Sequence, residues 1–179
     1  HFPITQRVEV FDCSCCPPNL NRFIASIGDF LYSMDGDTCY VHQFMDSAAD
    51  VGSIAIRQQT NYPHDGKIKL SAKGAKRLAV RVPGWCSSYR INQPYYVENG
   101  YAYINATTAE VEFDMHPMLI AAPPLVQENA GRAAVQRGPL VYCLEAVDNG
   151  PLLRSVSVNR RLNAKLLYDE TIGANRILT

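Results

Sequence analysis

Cys13-Ser14-Cys15-Cys16-Pro17-Pro18-Asn19 runs into Leu20-Asn21-Arg22-Phe23-Ile24-Ala25-Ser26-Ile27-Gly28-Asp29-Phe30-Leu31-Tyr32-Ser33-Met34, and Asp35-Gly36-Asp37 follows. Leu20, Phe23, Ile24, Ile27, Phe30, Leu31 and Met34 recur at three and four residues, which lays an apolar stripe along one face of a helix. The spacing predicts a helix over 19–34 with that face buried. Pro17 and Pro18 suit its entry, because a first-turn residue needs no N–H partner and proline already holds the helical φ. Past Gly36 the hydrophobic period shortens from about 3.6 residues to about 2, the spacing of strands. The chain is therefore expected to be mainly β, with one helix in front.

The strands can be placed by their alternation and by the turns between them. Candidates lie at 38–45, 53–61, 66–72, 77–82, 89–91, 95–97, 101–104, 111–115 and 133–144, with weaker ones at 155–158, 164–168 and 176–178. Pro63-His64-Asp65-Gly66, Lys73-Gly74, Pro83-Gly84, Glu98-Asn99-Gly100 and Pro123-Pro124 separate them. Asn99-Gly100, between two tyrosine-rich strands, is the strongest hairpin signal. Many short strands at regular spacing predict an antiparallel β-sandwich.

Three thiols within four residues, set before a helix, either bind a soft metal or furnish a nucleophile. The positive end of the helix favours thiolate over thiol there. Inert packing of small apolar thiols gives no reason for them to crowd beside a double proline. The chain's six cysteines would allow three disulfides. Cys15 and Cys16 are adjacent and cannot both join a relaxed framework, and Cys39, Cys86 and Cys143 lie singly in strand-like contexts, so reduced cysteines are expected. Glu9 and Asp12, near the thiols, read as solvated flanking charges.

Composition excludes other classes. At 47% apolar, 179 residues can bury a good-sized core. The 17 basic and 17 acidic residues cancel, with no basic block, which argues against a nucleic-acid surface. No run approaches the ~20 apolar residues of a membrane span. No phosphate-cradling glycine loop, serine nucleophile elbow or histidine-rich metal motif is present. His42 and Trp85 read as structural. Tyr95, Tyr96, Tyr101 and Tyr103 offer a carbohydrate-stacking platform, against which ordinary cross-strand pairing is the simpler account. Arg137-Gly138-Pro139 reads as a bulge or tight bend.

The Cys-Ser-Cys-Cys-Pro-Pro-Asn run before an amphipathic helix, followed by Gly36-Asp37-Thr38-Cys39-Tyr40-Val41-His42, resembles the cysteine and zinc type of β-L-arabinofuranosidase, a glycoside hydrolase family. Leu78-Ala79-Val80-Arg81-Val82-Pro83-Gly84-Trp85 and Val135-Gln136-Arg137-Gly138-Pro139-Leu140-Val141-Tyr142 are similar to strands of that family's sandwich region. The resemblance implies that Cys15 is a zinc-bound nucleophile forming a thioglycosyl intermediate and that Cys16 is a further zinc ligand, with Cys13 a possible third thiol of the site. It implies an acid/base glutamate, and a glutamate and a cysteine completing the zinc site, in an upstream (α/α) barrel. The chain is accordingly expected to be a C-terminal fragment of a retaining glycosidase, inactive alone and weak in zinc binding.

The expected organisation is the end of the catalytic barrel domain over 1–35, a sandwich over 36–146 and the start of a second sandwich over 147–179. Carbohydrate is the expected substrate of the parent enzyme; nucleic acid and membrane are not expected partners. The apolar helix face would fold back on the sandwich or drive self-association. Cytoplasm and periplasm both remain open. Two other classes compete: a noncatalytic glycan-binding or structural module with a structural metal site, and a thiol redox protein, which the absence of a βαβ context disfavours.

Overall fold

The computed structural model describes residues 15–159 and 162–178. It is mainly β, and its described residues fall into two compact units, one running Cys15–Met115 and one beginning at His116.

The first unit begins with helix α1, Cys16–Ser26, followed by a single 3-10 turn at Ile27–Phe30. The helix is thus shorter than the expected 19–34. Gly28 is a poor helix former, and the chain beyond it gains a ladder instead. Strand β1 (Tyr32–Asp35) pairs antiparallel with β2 (Thr38–Val41) across a two-residue turn in which Gly36 takes φ +55°. The predicted burial of the stripe fails in its first part: no α1 residue is buried, and Leu20, Phe23 and Ile24 are 57%, 54% and 59% exposed. Leu31 and Tyr32, past the helix, are the residues that reach the core.

Ten strands build two sheets. To β1 and β2 are added β3 (Ser47–Val51), β4 (Ile54–Thr60), β5 (Lys67–Lys73), β6 (Arg77–Arg81), β7 (Tyr89–Ile91), β8 (Tyr95–Glu98), β9 (Tyr101–Ile104) and β10 (Thr108–Phe113). One sheet has the order β1-β2-β6-β9-β8 and the other β3-β4-β5-β10-β7. Alternation is strict on β4 and β5, where every second residue is buried. Val41, Leu78, Val80 and Ile104 of one sheet join Ile54, Ile56, Ile68, Leu70, Val111 and Phe113 of the other in a single apolar cluster. That shared interior makes the pair a sandwich.

Among the described residues all strand pairs but one are antiparallel: β2 and β6 run parallel, Cys39 opposite Leu78. Parallel neighbours need a long crossover, and β3, β4 and β5 supply it by passing through the opposite sheet. The Asn99-Gly100 hairpin joins β8 to β9 as expected, with φ +49° and +80° at its two central residues, the signature of a type I′ turn.

The second unit holds β11 (Met118–Ala121), β12 (Ala133–Arg137) and β13 (Leu140–Tyr142) in one antiparallel sheet, then a short helix α2 (Ala146–Asn149) and a hairpin of β14 (Lys165–Asp169) and β15 (Ala174–Leu178). The expected strand at 133–144 is two strands, turned by Gly138 at φ +57° with Pro139. No strand forms at 155–158, where a 3-10 turn, Leu153–Ser155, precedes irregular chain. Arg176 ties the hairpin to α2, donating to Asp148 and Asp169 at 2.8 Å each.

The contrast between helix and sandwich can be measured. Ile68→Ala, at a site 1% exposed, is expected to lower unfolding free energy by about 2–5 kcal/mol in urea titrations. Leu20→Ala on the helix should change it by about 0.5 kcal/mol or less.

Candidate active site

Cys15 occupies the N-cap position of α1 with helical φ and ψ (−71°, −32°), and its side chain does not cap the first amides. Of the four N–H groups that a helix leaves without internal partners, Pro17 and Pro18 remove two. The helix end therefore offers fewer amide donors to a thiolate than an ordinary one. No acidic residue lies in its first turn.

Because Cys15 already has helical dihedrals, helical face geometry applies to both thiols. Cys15 heads a polar stripe of Asn19, Arg22 and Ser26. Cys16 heads the apolar stripe of Leu20, Phe23 and Ile27. The polar stripe is knitted together: Asn19 Nδ2 donates to the Cys15 carbonyl at 3.0 Å, Arg22 Nη1 donates to Asn19 Oδ1 at 3.2 Å, and Ser26 Oγ donates to the Arg22 carbonyl at 3.1 Å. The two neighbouring residues thus head different stripes, with both sulfurs exposed. The two Sγ atoms are 3.8 Å apart, far beyond the ~2.05 Å of a disulfide.

That separation can be compared with a metal site. Two thiolates about 2.3 Å from a tetrahedral zinc lie about 3.8 Å from one another. Cys15 and Cys16 therefore fit two vertices of such a site. Among the described residues no group of three or more His, Cys, Asp or Glu side chains converges to hold a metal. Cys13, Glu9 and Asp12 lie outside the described residues.

The remaining cysteines are apart from this site. Cys39 is fully buried in the sandwich core, and burial pushes its thiol up to about 11. Cys86 is half-buried, donates to the Ser88 carbonyl at 3.1 Å, and is also raised by burial. Cys143 is exposed. Trp85 packs edge-on to Phe113 at 5.9 Å against the core, the structural role expected of it. His42 is likewise held on both ring nitrogens, with Ser33 Oγ 2.7 Å from Nε2 and Tyr101 OH 2.8 Å from Nδ1. Burial, and then the charge of Arg81, hold its imidazole below the ordinary value.

The tyrosines pair across strands as expected, Tyr96 opposite Tyr103, and the four do not share one face. Tyr96, Tyr101 and Tyr103 project to the outer side of their sheet, while Tyr95, one residue along, turns to the other side and tilts against Tyr89. Tyr40 and two arginines, Arg77 and Arg81, join the first three. Their only sequence signal was alternation: Tyr40 with His42, and Arg77 with Arg81, fall at even spacing on β2 and β6.

Comparison with known proteins gives the family. The β-L-arabinofuranosidase GH127 middle domain matches residues 38–115, and the glycoside hydrolase family 127 C-terminal domain matches residues 117–171. The chain belongs to glycoside hydrolase family 127 by these two domains, which together take in most of it. A non-reducing end β-L-arabinofuranosidase of Bifidobacterium longum is 36% identical over a match covering 83% of this chain and 26% of that protein. A crystal structure of a family 127 β-L-arabinofuranosidase from Geobacillus stearothermophilus T6 superposes with a TM-score of 0.79 at 34% identity, covering 98% of this chain and 31% of that one. A further structure, of a family 127 β-arabinofuranosidase, gives 0.67 at 27% identity, over 94% of this chain and 35% of that one. The chain thus spans between about a quarter and a third of the length of the relatives it matches.

The contrast between Cys39 and the helix thiols has a pH consequence. A thiol raised in the folded state ionises first in the unfolded state, so folding stability falls as pH rises from about 9 towards about 11. Urea titrations across this window should show a smaller fall for Cys39→Val than for the unaltered chain. At pH 8, mass-mapped alkylation should modify Cys15, Cys16 and Cys143 but spare Cys39 until the protein unfolds.

Proposed function

We propose that this chain carries the nucleophile and two zinc ligands of a retaining β-L-arabinofuranosidase, with Cys15 as nucleophile and Cys16 as ligand. The observation that carries this reading is the pair of exposed sulfurs 3.8 Å apart at the head of α1, divided between a polar and an apolar stripe. The spacing supports a shared zinc, and the double proline supports the need for one. Having removed two amide donors, the helix end leaves a cation as the stronger means of keeping sulfur ionised.

Cys15 suits the nucleophile because it heads the polar stripe, where a sugar can approach. Cys16 heads the apolar stripe, which offers a sugar's hydroxyls no hydrogen-bonding partner and suits a ligand. Asn19 fixes the Cys15 carbonyl, and Arg22 fixes Asn19, so the backbone that bears the nucleophile is anchored before substrate arrives. Zinc bound by Cys15 and Cys16, with Cys13 and residues outside this chain completing the set, supplies thiolate character at neutral pH.

In the proposed reaction the Cys15 sulfur attacks the anomeric carbon. The C–S bond forms as the glycosidic C–O bond breaks, and the leaving oxygen takes a proton from an acid outside this chain. Water then displaces the sulfur, giving its proton to the conjugate base of that acid and returning the sulfur as thiolate, and two inversions give net retention. This departs from the two-carboxylate scheme usual among retaining glycosidases. Without the acid, which is typically worth about 10²–10⁴-fold, the chain alone is expected to be inactive.

The test uses an aryl β-L-arabinofuranoside with the protein at the length of its relatives. Cys15→Ser should abolish turnover, since a hydroxyl is a far weaker nucleophile than a thiolate. Cys16→Ser should lower both turnover and the zinc content found by elemental analysis. Undiminished turnover by the Cys15→Ser protein would remove Cys15 from its role.

A further inference from the structure

The outer face of sheet β1-β2-β6-β9-β8 carries a second ordered cluster. Tyr96 and Tyr103 stack across β8 and β9, centroids 5.1 Å apart and planes within 11°. Tyr40 meets Tyr101 and Tyr103 edge-on at 5.5 and 6.2 Å. The Arg77 guanidinium lies 5.5 Å from the Tyr103 centroid, donates from Nε to Thr38 Oγ1 at 3.1 Å, and donates from Nη1 to Tyr96 OH at 3.4 Å. Arg81 Nε donates to the His42 carbonyl at 2.6 Å. Ala79, between the two arginines on β6, is fully buried on this face of the sandwich.

Cross-strand pairing accounts for Tyr96 against Tyr103. It does not account for two arginines held by neutral acceptors. Neither Arg77 nor Arg81 has a carboxylate within ion-pair distance among the described residues. By strand alternation Asp35 on β1 and Glu98 on β8 project from the same face, at its two edges. The middle row therefore offers guanidinium donors and the margins offer carboxylate acceptors, with formal charges that cancel. Between them lie ring surfaces already fixed by their neighbours, whose ordering costs little on binding.

A ligand matching this face has no net charge, hydroxyls that both donate and accept, and apolar C–H surfaces to lay on a ring. That is the chemistry of a neutral sugar chain; a polyanion would gain from the arginines and lose to the two acids. We propose that this face is a carbohydrate-binding surface, separate from the thiols, that holds a neutral oligosaccharide on Tyr96 with hydroxyls bonded by Arg77 and Arg81. The inference rests on reading the chain as part of an enzyme that acts on glycans, and it adds a second point of attachment to that glycan. The face lies in the same compact unit as the thiols, β1 leading directly from the 3-10 turn after α1.

The test is calorimetric titration of the 179-residue chain, in chelator, with a linear L-arabinofuranose tetrasaccharide and, separately, an oligogalacturonate of the same length. Saturable binding of the neutral sugar is expected. Tyr96→Ala and Arg77→Gln should each weaken it about tenfold, which corresponds to about 1.4 kcal/mol, while Tyr96→Phe, which keeps the ring, should retain most of the affinity. Tyr95→Ala, on the same strand but the opposite face, should leave it unchanged. Lack of saturable binding, an equal loss in Tyr95→Ala, or preference for the oligogalacturonate would each overturn the proposal. No turnover and no metal enter the measurement, so its failure leaves the reading of Cys15 standing, and failure of the Cys15→Ser test leaves this face standing.

Discussion

The parallel pairing of β2 with β6 is the constraint on which the first unit depends. Hydrogen-bonded side by side and pointing the same way, Cys39 opposite Leu78 and Val41 opposite Val80, the two strands cannot be joined by a hairpin. The chain between them must leave the sheet, and in doing so it lays down β3, β4 and β5 as the facing layer. Both layers then bury their inner residues in one cluster, and both present a solvent-facing side. The outer face of the first sheet follows from the same register, since β6 sits in its centre and carries Arg77 and Arg81 between the tyrosines of β9 and Tyr40 of β2.

The helix is tied to this sandwich at its end, not along its length. Leu31 and Tyr32 enter the core, the Leu31 carbonyl accepts from the His42 amide at 2.9 Å, and Tyr32 OH lies 2.8 Å from Ser47 Oγ while accepting from Gln58 Nε2 at 2.9 Å. Those bonds join β1 to both sheets. The helix ahead of them keeps its two stripes in view, and the division of the stripes is what makes adjacent thiols inequivalent. A shift of one residue in helical phase would exchange their surroundings.

Much of this was legible in the sequence because the decisive signals are local. The change of period after Gly36, the Asn99-Gly100 turn and the cysteine motif each act over a few residues, and the strands over 38–113, Ser47–Val51 apart, follow from alternation. What was not legible depended on pairing at a distance. Tyr32-Ser33-Met34 continues a helical spacing, yet three ladder partners on β2 draw it into a strand. Ser47–Val51 lacks the branched and aromatic residues of a typical strand and forms one because β4 offers an edge. Gly138-Pro139, read as a bulge or tight bend, is the tight turn between β12 and β13. The thiols could be named as a site from their motif, but their separation and the helical dihedrals that extend the stripes back to Cys15 needed coordinates. Assembly of Arg77, Arg81, Tyr40 and Tyr96 on one face likewise needed the strand order.

Which sulfur bonds to sugar decides the chemistry. The most direct measurement is peptide mapping by mass spectrometry of the protein at the length of its relatives, acid-quenched during turnover of a slow β-L-arabinofuranoside. A pentosyl adduct on Cys15 and not on Cys16 is the predicted result. An adduct on Cys16 or on a carboxylate would contradict it.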